Sequence, residues 1–362
     1  MNRDICGKVC ALLALILIFT GCGGAQTAET PTAAPTEAAA AAPTQVLVEA
    51  EVVTPGPTAE PTEEPTPEPT ATPTPAPTRE PEEGDMCPNF PNYDTGTDAD
   101  YSYQSDELRI AVKKVVDEEN VLTYFVADIW MRNYRCFRTS FGNGEYGAGS
   151  ESAESMSQRE NAVLAVSGTY NNGFVLHNGV YYRGTDKDWS NSCMALYKTG
   201  ELKTYYYESE GFNTKKAVEN GVWQGWQFGP IFIHDGEPAE GYKINATRQP
   251  RCMIGYYEPG HYVIVLVDGR QANYSIGMNF YECIELMQSL GCVEAYNLDG
   301  GDSIRMTFMG QIINHPSGDR DGDGVADRNL LDMLVFAEYD LEGNAPSYEE
   351  IADKTRVANG AE

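Results

Sequence analysis

Two aspartates in this chain stand at the ends of hydrophobic runs, each followed by glycine. Asp268 closes Val265-Leu266-Val267-Asp268-Gly269-Arg270, and Asp299 sits in Asn297-Leu298-Asp299-Gly300-Gly301-Asp302-Ser303. A carboxylate in that setting leaves a strand where the backbone, with no Cβ beside it, lets a ligand approach closely. Two carboxylates delivered by different strands are what acid–base cleavage of a glycosidic bond requires. Asp-Gly is equally an ordinary turn pair, so spacing alone leaves both uses open.

A third constellation reads Asp319-Arg320-Asp321-Gly322-Asp323-Gly324-Val325-Ala326-Asp327. Asp319, Asp321, Asp323 and Asp327 offer hard oxygen ligands at the spacing of a calcium loop, and Gly324 permits its sharp turn. Leu330 stands where an EF-hand has glutamate, so the stretch resembles the aspartate-rich loops of thrombospondin type 3 or dockerin repeats. Calcium is therefore the expected cofactor, in a structural role. The four histidines lie far apart and give no Ser-His-Asp spacing. Cys87, Cys136, Cys193, Cys252, Cys283 and Cys292 follow no CxxC or Cys/His pattern, so no thiolate zinc site is expected.

The elements that would position these residues are mostly strands. Leu108–Val115 alternates as a half-buried strand does, and Val121–Met131 is denser in β-branched and aromatic residues, with a turn at Asn120. Short strands are expected over 161–168, 173–177, 180–182, 195–197, 202–207, 231–234 and 262–267. Lys215–Gly221 reads as a short helix. The clearest helix is Asn279–Leu290, with a capping box from Asn279 to Glu282, an apolar face of Phe280, Ile284, Met287 and Leu290, and Gly291 as its stop. The fold class is α+β: a single mixed β-rich domain with few helices, preceded by a disordered linker.

The chain has 362 residues, with 25 Lys+Arg against 54 Asp+Glu for a net charge of -29. That excess excludes wrapping of a nucleic-acid backbone and adhesion to anionic lipid through a basic patch. Residues 1–22 carry Arg3 and Lys8, then an apolar run ending Phe19-Thr20-Gly21-Cys22. This is the pattern of a lipoprotein signal peptide, with Cys22 lipidated and the mature protein bacterial, extracytoplasmic and held at the membrane by that lipid alone. Residues 23–86 form a Pro/Thr/Glu-rich linker with twelve acidic residues and one basic residue, Arg79. Its Pro-alternating part is a stiff, solvated spacer. The globular domain is expected over 100–345, followed by a C-terminal tail, 346–362.

The ordered series of strand, Asp268-Gly269-Arg270, Tyr274-Ser275-Ile276-Gly277-Met278, helix, and Asn297-Leu298-Asp299-Gly300-Gly301 resembles the phosphodiester glycosidase family. Thr123–Ile129, Phe137-Arg138-Thr139, 161–168, His177–Arg183, Phe228-Gly229-Pro230 and Pro250-Arg251 extend the resemblance over about 100–340. It implies an exported hydrolase that cleaves a sugar-1-phosphodiester of the N-acetylglucosamine type in envelope or extracellular glycans. It also implies catalytic roles for Asp268 and Asp299. Arg251 and Arg270 would clamp the phosphate, with Ser167, Asn297, Gly300, Gly301 and Ser303 completing the substrate site.

Three stretches depart from the family pattern. Asp302 and Ile304 replace a small residue and a hydroxyl, Ser167-Gly168 replaces Asn-Gly, and Cys252 replaces threonine after Arg251. Asp302 would oppose a phosphate unless Arg305 or a metal neutralised it. The departures fit either a shifted substrate or the alternative function, a non-catalytic, calcium-stabilised, glycan-binding surface lipoprotein.

Overall fold

A ladder of antiparallel strands dominates the computed structural model, which describes residues 83–184, 191–239, 247–317, 328–339, 347–351 and 355–357. Nine strands form one sheet, whose middle members are Glu294–Asn297, Arg251–Glu258, His261–Val267, Leu122–Met131 and Leu108–Asp117, in that order. A five-stranded sheet runs Gln311–Ile312, Met306–Phe308, Leu164–Ser167, Asp332–Phe336, Phe137–Phe141. A second five-stranded sheet holds Val180–Arg183, Val175–His177, Val222–Trp226, Ser192–Tyr197 and Leu202–Tyr206. The expected β-rich α+β domain is what the chain forms.

The main core lies where all three sheets meet. Ile110, Phe125 and Ile264 of the nine-stranded sheet join Phe137, Val166 and Leu334 of one smaller sheet and Leu196 and Trp226 of the other. The opposite face of the large sheet is covered by the helix Phe280–Ser289, whose Phe280, Cys283, Ile284 and Met287 pack on Met253, Val263 and Val265. Burying such side chains contributes about 1.5–3 kcal/mol each. The capping box is formed: the Asn279 side chain accepts from the Glu282 amide at 3.0 Å, and Glu282 accepts from the Asn279 amide at 2.8 Å.

Strands covered on both faces do not alternate: His261–Val267 is buried at every position but the first, and Asp332–Phe336 of the smaller sheet is buried throughout. Arg251–Glu258 and Asp332–Phe336 were not among the expected strands, since without alternation a strand has no period-2 signal and only composition, as at 262–267, marks it. Lys215–Gly221 is not an α-helix. A single 3₁₀ turn, Thr214–Lys216, forms under the Asn213 side chain, and the chain then reverses at Gly221.

Two segments outside the expected limits belong to the domain. Met86 and Cys87 are buried, and the Met86 amide donates to the Arg132 carbonyl at 2.9 Å. Thr355–Val357, within the expected tail, pairs with Tyr101–Tyr103 at the edge of the large sheet. All six cysteines named above are buried free thiols. Among the described residues no helix is long and apolar enough to cross a membrane. Cys22 and the acidic loop 319–327 lie outside the described residues.

Candidate active site

Register brings the chemistry to one end of the large sheet. Arg251 pairs with Val267 and Met253 with Asn297, so Arg251, the residues after Val267 and the residues after Asn297 emerge side by side. There they line an open hollow of about 410 Å³ formed by Phe228, Thr247, Gln249, Arg251, Arg270, Asn297, Asp299, Gly300 and Gly301.

Arg251 is 7% exposed. Its Nε donates to the Met278 carbonyl at 3.0 Å and one Nη to the Thr247 carbonyl at 3.1 Å, with the guanidinium 4.3 Å over the Phe280 ring. Burial lowers its pKa, and no carboxylate among the described residues forms an ion pair with it. Among the described residues, carbonyls and a ring hold this cation, and its charge can attract an anionic group that enters the hollow.

Arg270 is held differently. Its Nε donates to Gln249 Oε1 at 2.7 Å and its Nη1 to Asp302 Oδ1 at 2.6 Å. The extra carboxylate at 302 is therefore paired with Arg270, where the sequence had offered Arg305 or a metal. Arg305 Nη1 instead donates to the carbonyls of Asp302 and Ile304, at 2.9 and 2.8 Å. Ser317 also donates to Asp302 Oδ1, at 3.2 Å.

Asp299 reaches the hollow from the loop after Asn297. Its Oδ1 accepts from the Gly300 amide at 2.9 Å, and the Ser303 hydroxyl hydrogen-bonds it as well. Burial raises its pKa, while those two donors and the charge of Arg328 oppose the rise. The loop can fold this tightly because a Cβ at Gly300 would lie 2.8 Å from the Pro250 carbonyl oxygen, and Gly301 takes φ 65°. Asn297 Nδ2 donates to the Gly229 carbonyl at 2.7 Å, which leaves its buried Oδ1 unpartnered beside the hollow.

Asp268, expected as the second catalytic carboxylate, does not line the hollow. It is fully buried: Oδ1 accepts from Asn314 Nδ2 at 2.8 Å, and Oδ2 from the Tyr274 hydroxyl at 2.9 Å and the His315 amide at 3.0 Å. Burial raises its pKa against those donors. Its oxygens accept from two loops, so Asp268 joins them beneath the site. Ser167 is likewise spent, donating to the Ser303 carbonyl at 2.6 Å and accepting from the Arg305 amide at 2.7 Å. Ser303 is 2% exposed and serves the site through Asp299. Of the expected residues, Arg251, Arg270, Asn297, Asp299, Gly300 and Gly301 converge.

Phe228, Thr247 and Gln249 line the hollow without having been expected there. Gln249, two residues before Arg251, carried a faint signal as a polar side chain next to an expected site residue. Among the described residues no group of three His, Cys, Asp or Glu is arranged to hold a metal ion.

The family model for phosphodiester glycosidases matches residues 155–337, just over half of the chain. The chain is 28% identical over 212 residues to the SPbeta prophage-derived uncharacterized protein YomE of Bacillus subtilis, covering 55% of this chain and 31% of that protein. It is 27% identical over 140 residues to bovine N-acetylglucosamine-1-phosphodiester alpha-N-acetylglucosaminidase, covering 35% and 26%. The matches thus span about a third or less of the length of these curated relatives. The catalytic domain of the zebrafish N-acetylglucosamine-1-phosphodiester alpha-N-acetylglucosaminidase, auto-inhibited by its pro-peptide, shares the fold. It has a TM-score of 0.51 and 17% identity, covering 64% of this chain and 83% of that one.

Proposed function

This chain belongs to the phosphodiester glycosidase family, and from that premise we propose that it hydrolyses a sugar-1-phosphodiester, of the N-acetylglucosamine type, in the hollow beside Asp299. The observation that carries the reading is Arg251: a nine-tenths-buried guanidinium without a carboxylate partner among the described residues, opening onto a hollow that also presents a carboxylate. A phosphodiester supplies the missing anion.

The reaction places a water oxygen on the anomeric carbon and breaks its bond to the phosphate oxygen. The leaving phosphate is already anionic and weakly basic, so it needs fixed positive charge more than a proton. Arg251, with the part of Arg270 not taken by Asp302, supplies that charge in a pocket partly closed to solvent. Asp299 then serves the anomeric carbon, taking the proton of the attacking water or adding to the carbon itself before water displaces it. The unpartnered Asn297 Oδ1 accepts a hydroxyl or amide hydrogen of the sugar.

We place the enzyme outside the cytoplasm, tethered through lipid on Cys22 and spaced from the membrane by the linker, with glycans of the envelope or its surroundings as substrate. Calcium on Asp319, Asp321, Asp323 and Asp327 steadies the acidic loop. The supports are the residue patterns given above.

One observation favours a second reading, a glycan-binding domain that does not cleave. Asp302 engages Arg270 and cancels much of the cationic charge in the hollow. Incubation with a chromogenic N-acetylglucosamine-1-phosphodiester separates the two. Sugar release by the wild type that disappears in Asp299→Ala supports hydrolysis. Saturable binding of the ester without release supports the second reading.

A further inference from the structure

Asp332 stands directly behind the loop that carries Asp299, and Gly168 links them. The Gly168 amide donates to the Asp332 carbonyl at 3.2 Å, while the Gly168 carbonyl accepts from the Asp299 amide at 2.9 Å. A Cβ at position 168 would overlap the Asp332 carboxylate, so only glycine lets the two approach. That carboxylate is 2% exposed. Its Oδ2 accepts from the Thr169 amide at 2.8 Å and the Thr169 hydroxyl at 3.1 Å, and its Oδ1 from the Asn171 amide at 3.3 Å. Two carboxylates from different sheets are thereby held about one glycine peptide.

We propose that Asp332 is a positioning residue for the hydrolysis: through Gly168 it holds Asp299 in place, and through its own charge it governs the pH range over which Asp299 works. The inference rests on the reading of Asp299 as the reactive carboxylate.

Burial pushes Asp332 up to about 6, with the Thr169 and Asn171 donors opposing and the negative charge of Asp299 adding to the rise. The groups facing Asp299 are the Ser303 hydroxyl, the Gly300 amide, Arg328 and the Cys252 thiol, which burial keeps neutral. Among the described residues, Asp332 faces the Thr169 amide and hydroxyl, the Asn171 amide and Asp299. Neighbouring carboxylates resist ionising together and titrate as a pair. As the pH falls, Asp332 takes up the pair's first proton, and the relief of repulsion keeps Asp299 ionised to lower pH.

The test is the pH profile of kcat/KM on the N-acetylglucosamine-1-phosphodiester. The wild type is expected to show a step near pH 6. Asp332→Asn should remove that step and leave a single ionisation at lower pH. Thr169→Ala, which takes away one donor to the ionised form and keeps the carboxylate, should move the step to higher pH; it serves if the Asn variant fails to fold. A folded Asp332→Asn with an unchanged profile, or a Thr169→Ala profile with the step in place, overturns the proposal alone. A wild type that hydrolyses nothing at any pH overturns the reading beneath it, and the proposal with it.

Discussion

Arg270 Nη1 meets Asp302 Oδ1 at 2.6 Å beside the hollow, so the carboxylate that departs from the family pattern is paired with a cation that lines it. Both side chains are partly exposed, and such a pair contributes only about 0–1 kcal/mol to stability. Asp302→Ser should therefore leave the melting temperature nearly unchanged while freeing the guanidinium. The expected result is a fall in KM for the phosphodiester of about 3- to 10-fold, equivalent to about 0.7–1.4 kcal/mol of binding, with little change in kcat.

Arg251 contributes geometry as well as charge. Its fork reaches the carbonyls of Met278 and Thr247 while the plane lies over Phe280, and a lysine ammonium reproduces none of these together. Arg251→Lys should raise KM by about tenfold or more, a loss of about 1.4 kcal/mol or greater. It should also weaken protection of the protein by inorganic phosphate in thermal unfolding. Equal KM in the two proteins would remove Arg251 from the substrate site.

His177 is fully buried near Phe141 and Trp226, and burial pushes its pKa down to about 3. The unfolded chain binds this proton more tightly than the native one, so the group lowers stability as pH falls from about 6.5 towards 3. Asp332, raised to about 6, acts in the opposite sense: the native state holds its proton more tightly, and its contribution is lost as pH rises from about 4 to 6. Comparing denaturant unfolding at pH 7 and pH 4, His177→Phe should lose less stability than the wild type, by roughly 3 kcal/mol at most. An identical pH dependence would show that His177 takes up its proton in the fold as readily as in the unfolded chain.

The acidic loop yields a separate check. Titration calorimetry with calcium should give a single binding event that Asp321→Asn and Asp323→Asn weaken by tenfold or more. Heat indistinguishable from dilution at millimolar calcium would end the assignment.

Much of the arrangement was legible in the chain. The capping box at Asn279 and Glu282 is local chemistry, and local chemistry is what residue order encodes directly. Asp299, Gly300 and Gly301 were legible through the ordered series that resembles the family, since an Asp-Gly pair alone fits a turn equally well. Asp268 shows the limit of that signal. The same Asp-Gly pattern becomes a clasp once Asn314, Tyr274 and His315, distant or unremarkable in sequence, close around it. Asp332 has no glycine or motif beside it to mark it as part of the site. Its place behind Gly168 follows from the pairing of Met333 with Ser167, a register between strands more than 160 residues apart.

The central claim is cleavage between the anomeric carbon and the phosphate oxygen in the hollow that Asp299 and Arg251 share. Hydrolysis of the N-acetylglucosamine-1-phosphodiester in heavy-oxygen water, followed by mass analysis of both products, tests it most directly. The expected result is label in the released sugar, none in the phosphate ester, and no labelled sugar from Asp299→Ala. Label in the phosphate, or equal release by the Asp299→Ala protein, would contradict it.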